Sequence, residues 1–136
     1  VASGIANDGV VMRPFVIGEI NDNAGSISAR TSPRRLTTAC DKTTADQVEA
    51  LMVDTVNAGS GARAQLQGVK VAGKTGTAET GKSTTTDAWF IAFAPAEDPV
   101  VALAVLIEQG GIGGQIAAPT ARPVLEAALR AQGESR

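Results

Sequence analysis

Apolar residues recur at helical spacing in the middle of the chain. Thr43 to Asp46 is similar to a capping box with an acidic residue in the first turn, which predicts the start of a helix. Asn57-Ala58-Gly59 predicts the end of this helix, and Gly59-Ser60-Gly61 predicts a flexible exit. The predicted apolar face comprises Val48, Leu51, Met52, Thr55 and Val56.

The apolar pattern changes to alternation after Gly68. Residues 69–78 are predicted to form a strand interrupted by Gly73 and Gly76, and a polar loop follows from Glu79 to Thr86. A second strand is predicted from Asp87 to Pro95. Its predicted faces are Trp89, Ile91 and Phe93 on one side and Phe90, Ala92 and Ala94 on the other.

A third predicted strand, Val100 to Ile107, is apolar on both faces, which is typical of a central strand covered by helices on each side. The turn at Ala96 to Pro99 predicts a hairpin between the second and third strands. Gly110 to Gly114 predicts a flexible connection, and the last helix is expected from Ala117 to Gly133. Its apolar face comprises Val124, Leu125, Ala128 and Leu129.

The first 40 residues carry weaker signals. Val1 to Gly9 is similar to the last turns of a helix, which favours a chain that begins inside a larger fold. Pro14 restricts any strand around it to a sheet edge or to two short pieces. Asn21 to Ser28 is a turn cluster, and residues 29–40 are predicted to be irregular. The arginines in this irregular part are interpreted as a solvated loop rather than a cationic substrate clamp: Arg30, Arg34 and Arg35.

These elements predict an α+β fold in which an antiparallel sheet is packed between helices. Hydrophobic residues make up 43% of the 136 residues, which is enough for a core, and the net charge of −2 provides no basic field for nucleic acid. The absence of histidine excludes a Ser-His-Asp or Cys-His mechanism built from this chain alone. The single cysteine, Cys40, excludes a Cys/His zinc site; it is interpreted as a buried small hydrophobe or, alternatively, half of a disulfide with a partner outside the chain.

One segment matches two functional motifs. Gly68 to Thr75 fits the phosphate-binding pattern Gly-x-x-x-x-Gly-Lys-[Ser/Thr] letter for letter. That loop needs a buried strand before its first glycine and a helix directly after the Lys-Thr pair. Arg63 to Gln67 is not a buried strand, and the residues after Thr75 are too rich in Gly and Thr for an amphipathic helix. Nucleotide binding is therefore the disfavoured hypothesis.

The second motif is the Lys-Thr-Gly strand of penicillin-recognising serine acyl-transferases. Alternation would place Thr75 and Thr77 on a common side, where two hydroxyls can hold a carboxylate. Gly76 would let a ligand backbone come close, and Lys74 would attract an anionic substrate. A backbone N–H of such a strand can help to hold an oxyanion, and its free edge can pair with a peptide. An isolated tripeptide would instead favour an ordinary edge strand interrupted by glycine.

The tripeptide belongs to a longer series of motifs that resembles the transpeptidase domain of class B penicillin-binding proteins, the cell-wall cross-linking enzymes. The resemblance spans nearly the whole chain, includes Ile5 to Val16, and is weakest from Asn21 to Asp41. The motifs are Val71-Ala-Gly-Lys-Thr-Gly-Thr-Ala-Glu79, Asp87-Ala-Trp-Phe-Ile-Ala-Phe-Ala-Pro-Ala96, Pro99-Val-Val-Ala102 and Gly113-Gly-Gln-Ile-Ala-Ala-Pro119.

The resemblance implies a penicillin-binding-protein or serine β-lactamase-like fold and acyl transfer through a serine. The serine would attack the D-alanyl-D-alanine end of a peptidoglycan stem peptide, an amine would accept the acyl group, and β-lactams would acylate the same serine. Lys74 would polarise the site and assist the proton relay, and Thr75 and Thr77 would bind the carboxylate. Gly76 belongs to the same substrate-binding strand, and the Thr77 N–H would form half of the oxyanion hole.

Two motifs of the family, Ser-x-x-Lys and Ser-x-Asn, do not occur in these 136 residues. The nucleophile, its base and the second wall of the site are therefore expected upstream of Val1. Residues 1–136 are expected to be the C-terminal portion of one transpeptidase domain and to be inactive alone. Asp87 is a further departure, because the family often has His before Ala-Trp-Phe.

The resemblance leaves other functions open. A serine β-lactamase or D,D-carboxypeptidase shares the Lys-Thr-Gly strand, and a non-catalytic β-lactam sensor or a scaffold of a cell-division or elongation complex is an alternative of another class. The expected partners are the stem peptide, β-lactams, the upstream segment and division or elongation proteins, with no nucleic acid, metal or cofactor. The expected location is the extracytoplasmic side of the bacterial cell membrane, with an anchor in the N-terminal region.

Overall fold

A computed structural model describes residues 1–81 and 85–134, so residues 82–84 of the predicted polar loop lie outside the described residues. The order of elements follows the prediction, with a helix, short strands, a long helix, three strands and a last helix. The elements are α1 (Ala2–Ile5), β1 (Val10–Met12), β2 (Glu19–Asn21), β3 (Ile27–Arg30), β4 (Arg35–Thr38), α2 (Lys42–Asn57), a 3-10 helix (Ala62–Ala64), β5 (Ala72–Ala78), β6 (Asp87–Ala94), β7 (Val101–Ile107) and α3 (Ala117–Glu134).

The main sheet has the order β5-β6-β7, and both strand pairs are antiparallel. One of its faces forms the larger core with α3 and the end of α2. Phe90 and Leu125 are fully buried there beside Val56, and burial of a side chain of this size stabilises the fold by roughly 1.5–3 kcal/mol. The sheet is therefore fixed against helices on the face that Phe90 occupies.

The opposite face of the sheet forms a second, smaller core. Phe93 is fully buried there with Ala72, and Met52 of α2 and Ala2 of α1 pack onto them. Phe90 and Phe93 thus belong to different cores, which confirms the two predicted faces of β6. The α+β class, with an antiparallel sheet between helices, is confirmed as well.

The predicted central position of the Val100–Ile107 strand is not seen among the described residues. In the described part of the chain β6 is the central strand, and β7 lies at an edge of the sheet. Val101 and Leu103 pack against the larger core, but Ala102 and Ala104 on the other face are exposed. An apolar strand does not specify its neighbouring strands, and among the described residues β7 has one.

The prediction that residues 29–40 are irregular is wrong. β3 pairs with β2 in a hairpin, and β4 pairs with β1. Every residue of β2, β3 and β4 is exposed, so no buried face produced an apolar alternation in the sequence. A cross-strand ion pair supports the hairpin instead, since Arg30 lies opposite Glu19 and donates two hydrogen bonds to its carboxylate at 3.0 and 2.6 Å.

The N-cap of helix α2 lies two residues earlier than the capping pattern predicted. Asp41 is the N-cap, and its carboxylate accepts a hydrogen bond from the Thr44 backbone N–H at 2.7 Å. This bond lowers the pKa of the Asp41 carboxyl below its ordinary value, because it favours the charged form. The C-terminal boundary at Asn57 agrees with the prediction. Helix α3, in contrast, continues past Gly133 to Glu134.

Replacing Asp41 with alanine is expected to lower the melting temperature of the full-length protein by roughly 2 °C, because the N-cap bond is lost. Asp41→Asn is the matched control, since it keeps the acceptor oxygen and should melt close to the wild type at neutral pH. Because the folded pKa is depressed, the ionic part of the stabilisation is present above the unfolded pKa and is lost as pH falls through the folded value. Equal melting temperatures of Asp41→Ala and wild type would contradict the cap.

Among residues 1–81 and 85–134 there is no helix that is both long and apolar enough to span a bilayer.

Candidate active site

The Lys-Thr-Gly-Thr motif lies in an unbroken strand. β5 pairs with β6 in continuous register from Ala72 opposite Phe93 to Ala78 opposite Asp87, so the predicted interruptions are not present. The chain stays extended beyond Thr75. A phosphate-binding loop requires a helix at this point, and the phosphate-binding hypothesis is therefore overturned.

The two glycines of β5 occupy positions where a side chain has little or no room. A Cβ at Gly73 would lie 2.5 Å from Cζ of Phe90 and 3.0 Å from Cγ2 of Val56. A Cβ at Gly76 would lie 3.1 Å from Cβ of Trp89 on the neighbouring strand. Gly73 is thus required by core packing. The role of Gly76 in the approach of a ligand stays a prediction.

Both threonine hydroxyls of the motif contact loops that come from other parts of the chain. The Thr75 Oγ1 lies 2.7 Å from the Oγ of Ser60, and either hydroxyl can donate. The Thr77 Oγ1 accepts a hydrogen bond from the Gly113 N–H at 3.4 Å. Thr75 is half-buried and Thr77 is exposed. The alternation that was expected to place the two hydroxyls on one side agrees with these contacts, because Ser60 and Gly113 both adjoin Gly114.

Lys74 presents an exposed positive charge. Its Nζ donates a hydrogen bond to the Thr75 carbonyl at 2.7 Å, and within the described residues it forms no ion pair. Lys70, four residues earlier, instead pairs with Glu97, and this contact raises the pKa of Lys70. The charge of Lys74 is therefore uncompensated by the described carboxylates and is available to an anion.

The glycine-rich segment after β7 is packed onto the motif strand. A Cβ at Gly113 would lie 2.2 Å from the Gly76 carbonyl oxygen and 2.4 Å from that of Trp89. The Gly111 N–H donates to the Thr86 carbonyl at 2.8 Å, and the Thr86 hydroxyl donates back to the Gly111 carbonyl at 3.0 Å. The absent side chains thus permit close contact between this segment and the strand, and the predicted flexibility of the connection stays a prediction.

Asp87, the departure from the expected histidine, has a structural partner. Its carboxylate accepts a hydrogen bond from the Gln109 backbone N–H at 2.9 Å. Gln109 has a φ of 53°, in the left-handed region that residues other than glycine rarely occupy. Asp87 therefore helps to hold the turn that leads from β7 into the glycine-rich segment.

β5 has one neighbouring strand among the described residues, so part of its second edge offers backbone amides and carbonyls to another chain. An extended peptide can pair with such an edge through main-chain hydrogen bonds. The candidate site thus combines a strand edge, an uncompensated cation and two hydroxyls. This set can bind an extended peptide that carries a carboxylate.

The arginines of the N-terminal segment lie away from the motif strand. A cavity of about 420 Å³ is lined by Arg13, Arg30 and Arg34 together with Phe15, and none of the β5 residues belongs to its lining. Arg35 lies in β4 outside this lining. All of these arginines are exposed, as expected for a solvated segment.

Two contributors to the site were missed in the sequence. Ser60 and Gly113 both touch threonines of the motif, but each lies in a glycine-rich segment that was interpreted as flexible. The available signal for both residues was the high glycine content of their segments, since glycine often marks close backbone approach. No local pattern identifies the partner of either residue.

The Lys-Thr-Gly-Thr strand in an antiparallel sheet between helices is typical of part of a penicillin-recognising domain. The chain belongs to the family of penicillin binding protein transpeptidase domains, whose family model matches residues 1–126. The peptidoglycan D,D-transpeptidase PbpA of Mycolicibacterium smegmatis is 43% identical over 140 residues, which cover 96% of this chain and 28% of that protein. PbpA of Mycobacterium tuberculosis is 39% identical over 142 residues, covering 98% of this chain and 28% of its own length.

Solved structures agree with the family assignment. The D,D-transpeptidase domain of a peptidoglycan glycosyltransferase from Eggerthella lenta is 43% identical, with a TM-score of 0.90, and the match covers 97% of this chain and 31% of that one. The ceftriaxone acyl-enzyme of penicillin-binding protein A from M. tuberculosis is 40% identical, with a TM-score of 0.86, and the match covers 94% of this chain and 30% of that one. The chain therefore spans less than a third of the length of these relatives.

Proposed function

We propose that the chain forms one wall of the active site of a peptidoglycan D,D-transpeptidase that β-lactams acylate. The observation that carries the proposal is the extended Lys-Thr-Gly-Thr strand, with its uncompensated Lys74 and its two partnered hydroxyls. A relative of 40% identity has been solved as a ceftriaxone acyl-enzyme, which supports the same chemistry here.

In this proposal each motif residue has a separate role. Lys74 raises the positive potential of the site and assists proton transfer, Thr75 and Thr77 donate hydrogen bonds to the carboxylate of the acyl donor, and Gly76 leaves room for its backbone. The Thr77 N–H is one of the two donors to the oxyanion. The D-alanine leaves with a proton when the serine ester forms, and an amine then attacks the ester and releases the serine.

The nucleophilic serine is proposed to lie outside residues 1–136, in the same protein. None of the serines in the chain is followed by Lys three residues later or by Asn two residues later. The proposed location is the extracytoplasmic side of the bacterial membrane, where the stem peptides are. Division or elongation proteins are proposed as further partners, because cross-linking must be coordinated with growth of the wall.

Fluorescent penicillin is expected to label the full-length protein at a serine outside the 136 residues, because the acyl-enzyme of a transpeptidase persists. Peptide mapping by mass spectrometry would locate the label. The 136-residue chain alone should stay unlabelled, and its labelling would contradict the proposed division of the site. Rapid catalytic turnover of the β-lactam would favour a β-lactamase, and labelling without D-alanine release from a stem peptide would favour a sensor.

A further inference from the structure

Ser60 lies in the loop after α2 and contacts Thr75 of the motif strand. It follows α2 and lies between Gly59 and Gly61, and its hydroxyl is 2.7 Å from that of Thr75. The proposed function gives no role to Ser60. Its side chain is small and exposed, so the contact with Thr75 does not arise from burial of an apolar surface.

The backbone around Ser60 is held from the side of α2. The N–H groups of Gly59 and Gly61 both donate to the Thr55 carbonyl, at 3.1 and 3.0 Å. Gly61 is buried, and a Cβ there would lie 3.3 Å from the Phe90 ring, tighter than most such contacts. The loop therefore rests directly on the ring that anchors β6 in the larger core.

The loop is also held from the side of α3. A Cβ at Gly114 would lie 2.3 Å from the Ser60 carbonyl oxygen and 3.6 Å from Cγ2 of Thr75. The neighbouring Gly113 carbonyl accepts from the Ala118 N–H at 2.9 Å, which ties this segment to the first turn of α3. Ser60 and Thr75 thus lie beside two segments that backbone hydrogen bonds hold in place, and their hydroxyls are within hydrogen-bond distance of each other.

The direction of the hydrogen bond follows from what Thr75 would bind. A carboxylate only accepts hydrogen bonds, so Thr75 must give its single hydroxyl proton to the acyl donor. The Thr75 oxygen can then only accept from Ser60. The resulting chain, from Ser60 to Thr75 to the carboxylate, has each hydroxyl donating in the same direction, and such chains strengthen through mutual polarisation.

Resting on the proposed function, we infer that Ser60 is a positioning residue for the carboxylate of the acyl donor. It fixes the rotamer of Thr75 and directs its proton towards the ligand, so that less side-chain freedom is lost on binding. Ser60 does not touch the substrate. The groups that take part in the reaction remain those named in the proposed function.

The test uses the full-length protein and the rate of acylation by a fluorescent penicillin at several concentrations. Ser60→Ala is expected to lower the second-order acylation constant about five- to tenfold, as loss of one hydrogen bond in a carboxylate-binding chain would. Ser60→Thr keeps the hydroxyl and should restore most of the rate. Ser28→Ala, an exposed serine of β3, is the matched control and should react like the wild type.

A double-mutant cycle with Thr75→Ala separates positioning from a general structural effect. If Ser60 acts through Thr75, Ser60→Ala should cost nothing more in the Thr75→Ala background. If Ser60→Ala lowers the acylation rate equally in the Thr75→Ala background, or if the single Ser60→Ala variant is as fast as wild type, the inference is overturned. Labelling of the wild type would still uphold the proposed function in either case. A wild-type protein that penicillin does not label overturns both. Unchanged melting temperatures of the variants would assign the loss of rate to the site.

Discussion

Lys74→Ala in the full-length protein is expected to slow acylation by a β-lactam by about 100-fold or more, the usual cost of losing one positioned electrostatic group. Lys74 is exposed and has no carboxylate partner among the described residues. Its removal therefore takes away a charge that the fold does not use for an ion pair. Stopped-flow measurement of label incorporation would give the rate.

Lys70→Ala is the matched control for this charge. Lys70 lies just before the same strand and is exposed, but it pairs with Glu97. Its loss removes the same formal charge from the protein and should leave the acylation rate within about twofold of wild type, since exposed ion pairs contribute little. An unchanged rate in Lys74→Ala would show that Lys74 is only structural, and equal losses in both variants would indicate a general effect of net charge.

Gly113→Ala is expected to destabilise the protein by about 1–3 kcal/mol and to reduce acylation strongly, because the added methyl group has no space. Its Cβ would lie 2.2 Å from the Gly76 carbonyl oxygen and 2.4 Å from that of Trp89, and both are backbone atoms that cannot rotate away. The strand or the loop must move, and a shift of about 1 Å at reacting groups can cost about 100-fold in rate. Denaturant unfolding and penicillin labelling would measure the two effects.

Gly18→Ala provides the comparison for the Gly113 variant. No atom lies within 4 Å of a Cβ at Gly18, which is not among the glycines of positive φ, so this variant should stay within about 0.5 kcal/mol of wild type. A Gly113→Ala variant with wild-type stability and labelling would show that the glycine-rich segment can move to accommodate the methyl group without loss of stability. The packing of this segment would then not control the motif strand.

The parts of the fold that were predicted well are those with a local signature. β6 alternates between two cores, so the residue pattern by itself assigns Phe90 and Phe93 to opposite faces. The extended Lys-Thr-Gly-Thr strand follows from the residues around it, which are unsuited to a helix. For α2, the periodicity located the helix but not its cap, since Asp41 and Thr43 are both acceptable N-cap residues and lie two positions apart.

The predictions that differ from the structure have a common physical origin. β3 lies in a hairpin with β2, and β4 pairs with β1. Every residue of β3 and β4 is exposed, so the sequence carries no alternation there. The apolar residues of β7 do not specify its neighbouring strands, and among the described residues it has one. The close contacts of the glycine-rich segments were not predicted, because they depend on neighbouring atoms from other parts of the chain.

The sequence by itself determined the family, the strand that carries the candidate residues and the division of β6 between two faces. These features depend on residue types and on periodicity within one segment, which burial imposes locally. The tertiary structure alone decided which hydroxyls and amides meet the motif. Ser60 and Thr75 are 15 residues apart, and Gly113 and Thr77 are 36 apart. Such contacts form only when α2, the sheet and α3 pack together, and no local pattern encodes that arrangement.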